Sequence, residues 1–436
     1  MLDPFRKPLH EVESRDLHVL KEVSEGWYID YKQDLIDLKD IAKHLTSFAN
    51  TYGGWIFFGI KEHTATHAAD KFIGINGEVL DTLLTRLREA SSAHSFPTVY
   101  FETKTIKGPC AEIELDADKY ILIVKISEGE EPPYVHSSGR IYKRTADHSK
   151  PEAETNRYAI DRLFDKSASA DTLLKQFIDD SPHLHKKQSE DSILHIYLLP
   201  QSSDESSLNQ IKIDDFKTIC CERKTPFSLN FDHVFPSKYG FTARYVQENH
   251  FYYFLPTLRF WHNGRFKISI PINSFSIDGY MKDPRFKHKK ELITMVDIKK
   301  SEDLKILDLT QVGVILSCFL NTIIDIKKRT MDHRDLLCAV KTTNTGGKCP
   351  YIDKPQYFEH CKKYGIPILL ENSLQIPTHI KKSYLLPLEM QDYFKSNSEE
   401  IIPFPASTLV PILILLFEGL GIHIGQDNPI ELLLTI

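Results

Sequence analysis

"SFANTYGGWIFFGI" (Ser47–Ile60) decides how this chain is read. Its first half completes an apolar stripe in which Leu38, Ile41, Ala42, Leu45, Phe48 and Ala49 recur at three- and four-residue steps, as on one face of a helix. Gly53 and Gly54 can take the positive φ that ends a helix. "WIFFGI" is then an unbroken apolar run of strand length, suited to burial on both faces. Upstream, "YIDYK" (Tyr28–Lys32) alternates apolar and polar groups and reads as a half-buried strand.

Working outward, "VLDTLLTRLREA" (Val79–Ala90) is a second amphipathic helix and "KYILIVKI" (Lys119–Ile126) another buried strand. "GRIYKR" (Gly139–Arg144) reads as an edge strand or hairpin arm, and "TNRYAIDRLF" (Thr155–Phe164) as a closing helix. The expectation is an α+β fold, with an N-terminal mixed sheet flanked by helices over residues 1–165. A polar linker over 166–191 follows. Residues 192–300 are rich in aromatic and β-branched groups with a turn signal at Asn263-Gly264, so they are expected to be β-rich. Residues 301–436 are expected as an α/β region, with a helix over Gln311–Arg329, and their role is open.

The chain has 436 residues, 41% hydrophobic and 26% charged, which suits an ordinary globular protein of two or three domains. Its 60 acidic and 54 basic residues give a net charge of -6, so any nucleic-acid site must be a local basic patch. The seven cysteines form no CxxC pair, which argues against a zinc ribbon or a disulfide scaffold and for a reducing, cytoplasmic setting. "MLDPFRKPLHEVESRD" lacks the apolar segment of a secretory signal. "LVPILILLF" (Leu409–Phe417) is too short to span a bilayer, so no membrane partner is expected.

The chemistry concentrates in the front half. Glu25, Asp30 and Glu62 are carboxylates beside or on predicted strands. Asp30 and Lys32 share a strand face, which sets an acid beside an ammonium. Glu25 falls on the opposite face of a straight strand, and Gly26 offers a bend to bring it round. If the strands pair, Glu62 joins them. Three hard oxygen donors at one sheet end can hold Mg or Mn, with Lys32 facing a phosphate, and such an ion can activate water against a phosphodiester. Acids at strand ends are also common on solvated surfaces.

"EGWYIDYK" (Glu25–Lys32), "SFANTYGGWIFFGIKE" (Ser47–Glu62), "FIGI" (Phe72–Ile75) and "GRIYKRTADHS" (Gly139–Ser149) together resemble the Schlafen-type AlbA domain, also described as a divergent AAA or DNA-binding domain. The resemblance covers roughly residues 20 to 165. It implies binding of RNA or DNA. In Schlafen proteins it implies an endoribonuclease acting on tRNA and related structured RNA with three carboxylates and a divalent ion, in a defence or stress response. Carried over by position, those carboxylates are Glu25, Asp30 and Glu62. The family pattern is Glu, Glu, Asp, so two of the three are exchanged here. The Schlafen core resembles two related lobes, and no second "FAN-x-x-GG" copy follows residue 165. The groove would come from homodimerisation, from the C-terminal half, or not form at all. The family's zinc site has no matching cysteine and histidine set.

"PPYVHSSGRIYKRT" (Pro132–Thr145) supplies the expected phosphate contacts. Arg140 and Arg144 share a parity and could track a backbone, with Lys143 adjacent, while Tyr134 and Tyr142 could stack on bases. His136 could donate to a phosphate. The competing reading is an edge strand whose positive charges deter aggregation. "TNTGGKCP" lacks the first glycine and the final Ser or Thr of a P-loop, and Cys349, His360 and Cys361 have poor zinc spacing. Two function classes remain: a metal-dependent endoribonuclease, and a noncatalytic protein that binds or senses nucleic acid with the same domain.

Overall fold

The helix-to-strand join forms where the sequence sets it. In the computed structural model, which describes residues 3–422 except 147–149, 181, 183, 203–207, 209, 223–229, 247–253, 296–303 and 391–405, α1 (Leu38–Asn50) leads into β2 (Gly54–Phe58). The end of "GRIYKRTADHS" and the start of the aromatic run at 250–253 lie outside the described residues. Gly53 has φ +69°, and a Cβ there would sit 2.6 Å from the Ile126 carbonyl oxygen. At Gly54 a Cβ would meet the Phe48 ring at 2.4 Å. Both glycines are therefore required by close approach, one of them also by backbone conformation.

The chain divides into two compact units, Met1–Phe177 with Ser202–Ser207, and Ile178–Gln201 with Leu208–Ile436. In the first, β1 (Ile29–Lys32) pairs in parallel with β2. β2 pairs antiparallel with β8 (Lys119–Ile126), which also carries β5 (Ile75–Asn76) and β7 (Phe101–Lys107). The result is a mixed sheet. Ile56, Phe58, Leu122 and Val124 face α1 and α2 (Gly77–Ala93), while Trp55, Phe57, Ile121 and Ile123 pack against Leu9, Val12, Leu17 and Leu20. Burial of "WIFF" on both faces follows, each side chain contributing roughly 1.5–3 kcal/mol as an upper estimate. The expected half-burial of "YIDYK" does not hold: Ile29 and Tyr31 pack under the N-terminal segments, and Asp30, on the other face, is enclosed by His44 of α1 and Arg144.

Past β2, Gly59 (φ +90°) turns the chain out of this sheet into β3 (Ile60–Glu62), which pairs with β4 (Ala69–Phe72). The short strands β6 (Ser95–Phe96) and β9 (Val135–His136) pair, as do β10 (Tyr142–Lys143) and β11 (Glu152–Ala153). Much of the stretch expected as a linker is helical instead, since α3 runs Arg157–Asp179.

In the second unit an eight-stranded sheet takes strands from both sides of residue 300. β12 (Ser192–Pro200) lies between the strands Phe266–Ile272 and Leu336–Thr343, so the expected division at 300 runs through one sheet. The Gln311–Arg329 helix is present as Val312–Thr330, and a helix at Ala406–Gly419 packs Leu409, Ile412, Leu413 and Phe417 into the core. The whole is α+β. Among the described residues no helix is long and apolar enough to cross a membrane.

Candidate nucleic-acid interface and carboxylate cluster

Residues 24–29 fold back on β1. The Gly26 N–H donates to the Ile29 carbonyl at 3.0 Å and the Glu25 N–H to the His67 carbonyl at 2.8 Å. Glu25 then turns its own carboxylate onto β1, where Oε1 accepts the Tyr31 N–H at 2.5 Å. Glu62, at the end of β3, lies 3.2 Å from His67 Nδ1. His67 thus links the two acids, by its main chain to Glu25 and by its ring to Glu62. The bend expected at Gly26 is real.

Asp30 has no solvent exposure. Its Oδ1 accepts from Lys32 Nζ at 2.8 Å, the acid–ammonium pair expected on one strand face. Oδ2 lies 2.9 Å from His44 Nδ1. Burial alone would raise the Asp30 carboxyl, but His44, Lys32 and Arg144 override it and hold it well below the usual carboxylate range. Burial pushes the Glu25 carboxyl up to about 8, helped by the negative charge of Asp30 and opposed by the Tyr31 N–H and Lys32. Burial also lowers His44 below its ordinary value, against the pull of Asp30. The two carboxyls are thus driven in opposite directions.

A divalent ion needs ionised oxygens with open lone pairs. The Glu25 carboxyl is pushed toward its protonated form, Asp30 is enclosed with its oxygens against Lys32 and His44, and Glu62 sits toward solvent. Among the described residues no three His, Cys, Asp or Glu side chains are grouped to hold a metal ion.

The segment 134–144 is a hairpin with its tip at Ser137–Gly139. The His136 N–H donates to the Arg140 carbonyl at 2.9 Å, Val135 bridges Ile141, and Gly139 turns with φ +77°. Asn50, from "FAN", pins its base: the side-chain amide donates to the Tyr134 and Tyr142 carbonyls at 2.8 and 3.0 Å and accepts the Tyr134 N–H at 2.7 Å. His136 Nε2 meets the Lys39 carbonyl at 3.2 Å, tying the hairpin to α1.

This hairpin reassigns most of the expected phosphate contacts. Tyr134, His136, Tyr142 and Arg144 are each at most 7% exposed. The Arg144 guanidinium donates from Nε and Nη2 to the Gly26 carbonyl at 3.1 and 2.6 Å and stacks over Phe48, so it locks the turn that carries Glu25. The parity argument for Arg140 and Arg144 fails because the two do not lie on one regular strand; only Tyr142–Lys143 is extended in a ladder. Lys143 is half-buried and bonds Glu154 at 3.2 Å. Arg140 remains exposed.

Arg140 has company that the sequence did not reveal. Lys39 and Lys43, one turn apart on α1, flank the hairpin: Lys39 presents the carbonyl that His136 bonds, and Lys43 feels the charge of Arg140. Lys39 is exposed and Lys43 is half-exposed, with Asp40 at 2.6 Å. His94 bonds Ser137 at 2.9 Å at the hairpin tip. The signal was available as the polar flank opposite the Leu38, Ile41, Leu45 stripe. His44 also went unrecognised. It interrupts that stripe, and a polar residue on a buried helix face marks a paired group.

Residues 25–154 match the model of the family described as Schlafen, AlbA_2. The resemblance to the Schlafen-type AlbA domain read from the motifs is borne out over that stretch. No curated protein matches the chain. Among solved structures, the DIP2311 protein from Corynebacterium diphtheriae aligns at 16% identity over 29% of this chain and 22% of its own, with a TM-score of 0.20. That likeness is too slight to bear on fold or function.

Proposed function

We propose that this chain, with its Schlafen-type AlbA domain at residues 25–154, is a nucleic-acid-binding protein that engages a phosphate backbone through its first unit. The observation that carries the reading is the convergence of Lys39, Lys43 and Arg140 around a hairpin clamped by Asn50. A protein of net charge -6 gains backbone affinity only from such a local patch. Ser137 and His94 add further polar groups at the hairpin tip. Replacing Lys39, Lys43 and Arg140 with glutamine tests it: RNA and DNA gel shifts should weaken across sequences.

Endoribonucleolytic cleavage of tRNA or other structured RNA, in defence or stress, is the second reading. One observation favours it: Glu25 and Asp30 hold their protons very differently, an arrangement that suits a general acid beside a fixed anion. Glu25 would protonate a leaving oxygen, and Lys32 and Arg144 would balance the charge of Asp30. Incubation of the protein with a tRNA pool, with Mg or Mn and then with EDTA, decides between the two. Fragments lost in Glu25→Gln support cleavage, and their loss or survival in EDTA shows whether a divalent ion takes part. Intact RNA in every lane beside a salt-sensitive shift leaves binding alone.

A further inference from the structure

The buried Tyr134 and Tyr142 cannot meet a base, yet the same unit presents another aromatic pair outward. The rings of Trp27 and Tyr52 stack with centroids 5.3 Å apart and planes 15° apart, and both are exposed, at 36% and 42%. Tyr28 tilts against Tyr52 at 6.0 Å. The mounting is rigid. Trp27 sits in the turn whose Gly26 carbonyl is held by Arg144, and Tyr52 follows Thr51, whose hydroxyl accepts the Arg144 main-chain N–H at 3.0 Å. One buried arginine therefore fixes both carriers, which lowers the entropy cost of using the pair as a contact surface.

The pair lies at the far end of α1 from the basic patch. From Lys39 to Thr51 the helix rises about 18 Å, and the hairpin lies alongside between His136 and Arg144. Cations at one end and an open aromatic stack at the other, about five stacked nucleotides apart, are the two elements that single-strand binders combine. A duplex keeps its bases stacked on each other and offers no free base face to Trp27.

We propose that Trp27 and Tyr52 form a stacking platform for an unpaired nucleobase, and that the ligand of this unit is single-stranded nucleic acid. The proposal rests on the backbone-binding reading above. Its test uses the full chain with 12-nucleotide oligouridylate and oligothymidylate, an abasic strand of equal length, and a blunt duplex. Trp27→Ala and Tyr52→Ala should each weaken binding to both base-bearing strands by about tenfold and leave the abasic strand and duplex unchanged. Trp27→Phe should retain most of the affinity, and strand binding should quench the tryptophan emission of wild type but not that of Trp27→Phe, in which Trp55 and Trp261 still emit. The two oligonucleotides separate RNA from DNA. Unchanged strand affinity in both alanine variants, while the glutamine variant of Lys39, Lys43 and Arg140 is weakened, would overturn the platform and leave the basic patch standing. No binding of any strand by wild type would overturn both.

Discussion

The Asn50 side chain holds Tyr134 by both main-chain polar groups, accepting its N–H at 2.7 Å and donating to its carbonyl at 2.8 Å, and a second donation reaches Tyr142 at 3.0 Å. A helix-end residue thereby sets the position of a loop more than eighty positions away. Asn50→Ala should cost about 1–3 kcal/mol, since it strands partly buried peptide groups. Asn50→Asp should recover only the bond from the Tyr134 N–H. Urea unfolding measures both, and an unshifted Asn50→Ala midpoint would refute the clamp.

Two glycines should respond in opposite ways. At Gly54 a Cβ would meet the buried Phe48 ring at 2.4 Å and the Tyr28 carbonyl oxygen at 2.6 Å, whereas at Gly139 nothing lies within 4 Å. Gly54→Ala should cost about 1–3 kcal/mol by overpacking. Gly139→Ala should cost about 1 kcal/mol, from its positive φ alone. Thermal unfolding that ranks them the other way would contradict the packing described.

The raised Glu25 carboxyl makes a pH prediction with a definite sign. Its value near 8 in the fold exceeds the model-peptide value of 4.5, so the folded state keeps a proton that the unfolded chain has lost. That contribution is fully present below about 4.5 and is lost as pH rises through about 8. Glu25→Gln, which mimics the protonated acid, should flatten the fall in stability between those limits and be more stable than wild type at pH 8. Denaturant midpoints across pH 5–9 check it; parallel curves would show that Glu25 is ionised in the fold.

Asp30 carries the opposite sign. Its carboxyl is depressed, so its contribution is present above the unfolded value of 3.8 and is lost only as pH falls through the folded value. Asp30→Asn leaves Lys32 and Arg144 without their buried anion and should destabilise by about 3–5 kcal/mol. A normally stable Asp30→Asn protein that had lost RNA cleavage would make Asp30 catalytic instead.

The elements that carry the sheet were legible because their signals are local. Phe48 and Ala49 close a helical stripe, Gly53 and Gly54 break it, and "WIFF" has the length and composition of a doubly covered strand. The carboxylates were legible as a neighbourhood but their surroundings were not, because whether Asp30 faces solvent depends on His44 and Arg144, distant in sequence. The hairpin was misread for a related reason. Parity holds only along a regular strand, and the turn at Ser137–Gly139 breaks it between Val135 and Ile141. The aromatic pair was invisible: Trp27 and Tyr52 are 25 positions apart, and the bonds that align them run through Arg144.

The most direct test of the central claim is the salt dependence of binding to a single-stranded RNA, for wild type and for the Lys39→Gln, Lys43→Gln, Arg140→Gln variant. The basic patch predicts a linear fall of log K with log salt, and a slope shallower by about 2 in the variant, at roughly 0.7 for each phosphate no longer neutralised. Equal affinity and equal slope for the two proteins would contradict the claim and place the nucleic-acid surface elsewhere in the chain.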